Sequence, residues 1–156
     1  MKSNKKTFCI ISCGGRKIWD RRNSINAGPM PARKVYTGSF VRTNQRYAER
    51  FYPESWCIIS AKYGLLMPDD IVPENYNVRL TDPDAISTEE LSKQAKRLGL
   101  DTYERVVILA GKAYVEALRK ALPDSVKVEA PLADAGGMFG MMKRVRESIE
   151  SGNVIC

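Results

Sequence analysis

Trp56-Cys57-Ile58-Ile59-Ser60-Ala61-Lys62-Tyr63-Gly64 is the stretch that decides the fold. Four apolar residues in a row fit a strand buried on both faces, the pattern of a parallel sheet covered by helices. The run then stops on a hydroxyl, a small residue, an ammonium, a phenol and a glycine. Ligands of open α/β sheets bind outside the carboxyl ends of the strands, so Ser60, Lys62, Tyr63 and Gly64 become candidate site residues. The same grammar occurs at Thr7-Phe8-Cys9-Ile10-Ile11, which ends in Ser12-Cys13-Gly14-Gly15-Arg16-Lys17. Two strand ends that bring small residues and a lysine to one edge suit an anionic substrate.

Two further strands are expected at Arg105–Ala110 and Val126–Ala130. Helices are expected at 40–52, 88–98, from Gly111 to about Leu122, and at 139–151. Ser39 is read as a cap for the first, and Ser87 or Thr88 for the second. Glu89 and Glu90 at the start of that second helix, with Lys96 and Arg97 near its end, complement its dipole. The long connection from about Cys13 to Gly38 is expected to be ordered, given its tryptophan, prolines and tyrosine, and a second irregular stretch runs from Leu65 to Pro83. The order β-loop-α-β-loop-α-β-α-β-α shows no linker and no repeat. It predicts one domain over 1–156, a three-layer α/β/α sandwich around a four-stranded parallel sheet. Right-handed crossovers leave all four polar strand ends on one edge.

Composition limits the chemistry. The chain has no histidine, which removes histidine triads, histidine bases and histidine metal sites together. The four cysteines have no metal-ligand spacing, and no cofactor or metal is expected. Cys9 and Cys57 read as buried small hydrophobes, while Cys13 sits in a glycine loop beside Arg16 and Lys17. Net charge is +7, unevenly placed: residues 1–62 hold 13 Lys and Arg against 3 Asp and Glu. A basic half is the footprint of a phosphate-backbone binder, so nucleic acid or a nucleotide is the expected partner. No apolar run reaches the length of a membrane span and no signal peptide is evident, so no membrane partner and a cytoplasmic location are expected.

The converging loops supply the candidates. Gly14, Gly15 and Gly111 permit close backbone approach to a ligand, although the first loop has neither Walker A nor dinucleotide spacing. Lys62 suits a phosphate contact, an amine nucleophile or a plain salt bridge. Tyr36, Tyr63 and Tyr76 suit base stacking or ordinary boundary packing, and Asn75 and Asn77 suit a base edge or a turn. The carboxylates near the edge are Asp20, Asp69, Asp70, Glu74, Glu129 and Asp134. Asp69 and Asp70 follow Pro68, and fit either catalysis or a turn with a helix cap.

Three blocks carry a resemblance: Cys13-Gly14-Gly15-x-Lys17; Pro31-Ala32-Arg33-x-x-Tyr36-Thr37-Gly38 with Phe40; and Ser60-Ala61-Lys62-Tyr63-Gly64-Leu65-Leu66. They resemble a family of small bacterial, archaeal and phage domains of unknown function, which is itself similar to the uracil-DNA glycosylase superfamily. The resemblance implies an α/β/α sandwich and a DNA glycosylase-like hydrolase of the N-glycosidic bond. The chain departs from that superfamily in lacking a Gly-Gln-Asp-Pro-Tyr loop after the first strand and a His-Pro-Ser-Pro segment after the fourth. Its nearest counterparts by position are the Cys13–Asp20 and Pro131–Gly137 loops, and the expected target is a modified or unusual base, not uracil. In this reading Lys62 and Asp69 or Asp70 are catalytic. Arg16, Lys17 and Arg33 hold phosphates beside Cys13, Gly14, Gly15, Ser60, Gly64 and Gly111, while Tyr36, Tyr63, Tyr76 and Asn75 take the base. The alternatives are a non-catalytic nucleic-acid or nucleotide binding module and an N-glycosidase acting on free nucleosides or nucleotides.

Overall fold

Residues 7–155 are described by a computed structural model; residues 1–6, with Lys2, Lys5 and Lys6, and Cys156 lie outside the described range. Strands β1 (Thr7–Ser12), β3 (Trp56–Ser60), β6 (Arg105–Leu109) and β7 (Lys127–Glu129) run parallel. Strand β4 (Gly64–Leu66) folds back antiparallel on β3, giving the order β4-β3-β1-β6-β7. A separate antiparallel ribbon pairs β2 (Met30–Pro31) with β5 (Ile71–Val72). The helices are α1 (Ala32–Val35), α2 (Ser39–Phe51), α3 (Thr88–Arg97), α4 (Lys112–Ala121) and α5 (Met138–Ser151).

Why the inner strands read as unbroken apolar runs follows from strand geometry, since successive side chains point to opposite faces. Cys9 and Ile11 of β1 join Trp56, Ile58, Val107 and Leu109 under Val41, Tyr47 and Ala48 of α2 and Val145 of α5. Phe8 and Ile10 face the other way, with Cys57, Ile59, Val106 and Ile108 under Leu91 and Ala95 of α3 and Leu118 and Ala121 of α4. Each such large side chain taken fully out of water contributes about 1.5–3 kcal/mol. Three layers result. At the β7 edge one register pair carries charges, and Glu129 meets Arg105 at 3.6 Å and Lys127 at 3.5 Å.

The expected four-stranded parallel sheet is corrected by β4. Ser60 pairs with Gly64 across a three-residue turn, and Gly64 has φ +75°, a conformation open to glycine at little cost. Leu65 and Leu66 are then buried on opposite faces of the sheet. The caps also divide. Ser87 Oγ accepts from the Glu90 amide at 3.1 Å, whereas Gly38 holds the N-cap of α2 and Ser39 is its first helical residue. Among the described residues no helix is long and apolar enough to cross a membrane.

The connection after β1 leads through α2 to β3 on one side, and the connection after β6 leads through α4 to β7 on the other. Strand order therefore reverses between β1 and β6. In an open α/β sheet that reversal leaves a crevice at the carboxyl ends of the two strands.

Candidate functional site

Ser60 closes β3 with its side chain fully buried. Its Oγ accepts the amides of Lys62 and Tyr63, each at 3.1 Å, and lies 2.7 Å from Tyr76 Oη. With both lone pairs engaged by amides, the Ser60 hydroxyl donates to Tyr76. Tyr76 Oη is also 2.5 Å from Tyr36 Oη. Burial pushes both phenols up, that of Tyr76 to about 12, so both stay neutral at physiological pH. The chain of three hydroxyls ties the end of β3 to the first long loop and to the segment after β5.

The first loop brings a cation to the same place. Lys17 is only 4% exposed, and its Nζ donates to the Gly15 carbonyl at 3.1 Å and lies 4.3 Å from the Tyr76 ring centre. Burial lowers its pKa, opposed by the nearby Asp20 carboxylate. On the same ring, Tyr63 packs edge-on at 5.2 Å and the exposed Lys62 places its Nζ at 5.6 Å. An ammonium over a phenol ring is attracted by the ring quadrupole. Cys13 Sγ, at the end of β1, is 3.6 Å from Tyr114 Oη in the first turn of α4, which spans the β1/β6 crevice.

Asp20 ends a 3-10 turn, Ile18–Asp20. One carboxylate oxygen accepts the Lys17 amide at 2.8 Å and the other accepts Asn75 Nδ2 at 3.1 Å. The Lys17 amide, then the Asn75 side chain, hold its carboxyl below the usual carboxylate range. Buried Trp19 anchors the loop through an Nε1 hydrogen bond to the Gly28 carbonyl at 2.9 Å, so the expected ordered loop is found.

These groups line one groove. A cleft of about 470 Å³ is walled by Gly15, Asp20, Asn75, Tyr76 and Asn77. It shares Gly15, Tyr76 and Asn77 with a second cleft of about 470 Å³, which adds Cys13, Gly14, Lys17 and Tyr114. That one continues through Cys13, Gly14, Gly15 and Tyr114 into a more apolar cleft bounded by Arg16, Phe40, Gly111, Met138 and Met141. Beta carbons added at Gly15 or Gly111 would meet nothing within 4 Å, so both glycines face open groove.

The expected site residues divide into two sets. Cys13, Gly14, Gly15, Arg16, Lys17, Gly111, Asn75 and Tyr76 line the groove, with Ser60 and Tyr63 holding its Tyr76 wall. Tyr36 is 1% exposed, so it offers the site its hydroxyl and no stacking face. Asp69, Asp70 and Arg33 gather elsewhere. Asp69 is 83% exposed and pairs with Arg33 Nε at 3.0 Å, and Glu49 approaches the same guanidinium at 3.8 Å. Asp70 accepts the Met67 amide at 2.8 Å, closing the turn before β5. None of the three lines the groove. Gly64 lies against α3, where Gln94 donates to the Tyr63 carbonyl and accepts the Leu65 amide, both at 2.8 Å. Asp134 is held by Arg144, which also donates to the Pro131 carbonyl at 2.7 Å and fixes the fourth loop.

Asp20 is, among the described residues, the carboxylate that lines these clefts, with Glu74 beside it in an adjoining one, and only its place in the first loop points to Asp20 in the sequence. Met141 reads as the apolar side of its helix and carries no separate signal, whereas Phe40 stands in one of the three resemblance blocks. Among the described residues no group of three or more Cys, Asp or Glu is placed to hold a metal.

Residues 9–142, from β1 into α5 and including every loop of the groove, match a family of unknown function, DUF6884. The chain is also 35% identical over 147 residues to the Bacillus subtilis (strain 168) protein YfjM, described as uncharacterized; the match covers 93% of this chain and 96% of that one. With its whole groove inside the matched region, the chain belongs to the DUF6884 family.

Proposed function

We propose that the protein hydrolyses the N-glycosidic bond of a modified or unusual base in nucleic acid, DNA before RNA, with a fold akin to that of uracil-DNA glycosylases. The observation that carries the reading is Asp20: an ionised carboxylate, fixed through both oxygens, on the rim of a cleft of about 470 Å³ beside Tyr76 and Asn77. Breaking an N-glycosidic bond develops positive charge on the sugar, and a fixed carboxylate stabilises that charge without reorganising. A carboxyl held below its usual range is a weak base, so Asp20 is assigned to charge stabilisation and to orienting water. The flipped nucleotide enters the crevice, Tyr76 and Asn77 meet the base, and Lys17 supplies the nearby positive charge. This reading moves the catalytic carboxylate from Asp69 and Asp70 to Asp20.

A binding module without chemistry is the second reading. It is favoured by the fact that both Asp20 oxygens already accept hydrogen bonds within the protein. Labelled single-stranded and duplex DNA carrying deaminated or hypermodified bases, treated with alkali after incubation, separates the two. Scission that falls about 100-fold or more in Asp20→Asn supports hydrolysis. Salt-dependent binding with no scission on any substrate supports the binding module, and base release from mononucleosides alone would sink the polymer substrate.

A further inference from the structure

Helix α2 starts at the groove, where Ser39 and Phe40 line the apolar cleft together with Arg16. Its exposed positions are Ser39, Arg42, Arg46, Glu49 and Arg50, and every other residue from Val41 to Ala48 is buried. Glu49 is committed to Arg33 and Gln45. What remains is a stripe one residue wide of three arginines, each four positions after the last. Among the described residues none of the three lies within ion-pair distance of a carboxylate. Arg50 has a ring contact, 5.4 Å from the Phe51 centre.

Like charges four apart on a helix repel, so the i, i+4 spacing of the three works against the helix. Arg50 alone has a structural role as well, in the last turn of α2 beside Phe51 and Gly152. Arginine in place of lysine matters, because the planar guanidinium matches phosphate oxygens through two parallel hydrogen bonds. Eight residues of helix cover about 12 Å. One DNA strand presents a phosphate every 3.4 Å or so of duplex axis, so the stripe spans roughly three or four phosphates. A membrane surface fits less well, since the residues flanking the stripe on α2 are buried and leave no broad basic face.

The geometry assigns Arg42, Arg46 and Arg50 as a track for the phosphate backbone of a nucleic-acid strand whose reacting nucleotide lies in the groove. The assignment rests on the nucleic-acid reading above and makes the substrate a polymer, with the track gripping the strand several nucleotides from the site.

Anisotropy of labelled 20-nucleotide single-stranded and 20-base-pair duplex DNA, titrated between 50 and 200 mM salt, tests it. The triple variant Arg42→Gln/Arg46→Gln/Arg50→Gln should bind at least tenfold more weakly at 100 mM salt. Its plot of log K against log salt should flatten by about 2.7 on the duplex and about 2.1 on the single strand, as three lost phosphate contacts require. Triple replacement by lysine should restore the slope. An unchanged slope in the glutamine variant, with wild-type circular dichroism and melting, overturns the track; Arg46→Gln alone gives the same reading with less disturbance. Wild-type protein that binds phosphatidylserine vesicles but neither DNA overturns it too. Base release that needs Asp20 while the slope ignores the arginines removes the track and leaves the hydrolase. A slope that needs the arginines, without base release anywhere, removes the hydrolase and leaves the track.

Discussion

The Ser60–Tyr76 cluster and the Asp69–Asp70 turn are both polar, both follow short apolar strands, and differ in what holds them. At Ser60 a fully buried hydroxyl organises two amides and a phenol, and the phenol in turn carries two ammonium groups near its ring. At the turn, Asp69 and Arg33 neutralise each other in solvent and Asp70 satisfies a single amide. The contrast teaches where preorganisation comes from. Burial makes each missing hydrogen bond costly, so the Ser60 network has one arrangement, whereas exposed charges can exchange their partners for water.

The sharpest way to break this contrast is Gly64→Ala. The residue has φ +75°, and a new methyl would overlap the Gln94 amide and the Ile86 side chain. Gln94 cannot swing away freely, because its side chain bonds the Tyr63 carbonyl and the Leu65 amide. Left-handed strain and overpacking together cost about 3 kcal/mol, or roughly 10 °C in Tm, read by thermal unfolding. In a Gln94→Ala background the same change should cost clearly less, since the obstructing amide is gone. Equal costs in both backgrounds would mean that α3 does not pin the turn.

Ser60→Ala comes next. It leaves the amides of Lys62 and Tyr63 without their acceptor and Tyr76 without one of its two hydroxyl partners. A buried group left unpaired costs about 1–3 kcal/mol, so a loss of about 2 kcal/mol is expected in urea unfolding with unchanged m value. Base release should fall with it, because Tyr76 loses its anchor. A loss under about 0.5 kcal/mol would reduce the network to a surface contact.

The three inner parallel strands, β1, β3 and β6, were legible because burial on both faces demands unbroken apolar runs, and few other local arrangements need them; the edge strand β7, Lys127–Glu129, carries no such run. β4 was not legible. Gly64-Leu65-Leu66 is short, and as a continuation of the Ser60 loop it has no period of its own. The glycine loop and Lys17 were legible as groove-lining residues because strand order alone places post-strand loops at the crevice. The choice among carboxylates was not, since it rests on partners far apart in the chain. Asp20 is fixed by Asn75, 55 residues away, and Asp69 is occupied by Arg33, 36 residues away. Pro68-Asp69-Asp70 carries turn chemistry and site chemistry in the same letters, and only the location of Arg33 decides between them.

Asp69→Ala therefore has the smallest expected effect, and it is the most direct comparison with Asp20→Asn. Exposed ion pairs contribute about 0–1 kcal/mol, so stability should move by no more than about 0.5 kcal/mol. Base release should stay within twofold of wild type at low and high salt. The released Arg33 retains Glu49 at 3.8 Å, which further dampens the change. A large loss of activity in Asp69→Ala with an unchanged melting temperature would return the chemistry to the turn. It would also mean that exposed carboxylates at the turn serve the reaction better than the fixed carboxylate of the groove, the opposite of what preorganisation requires.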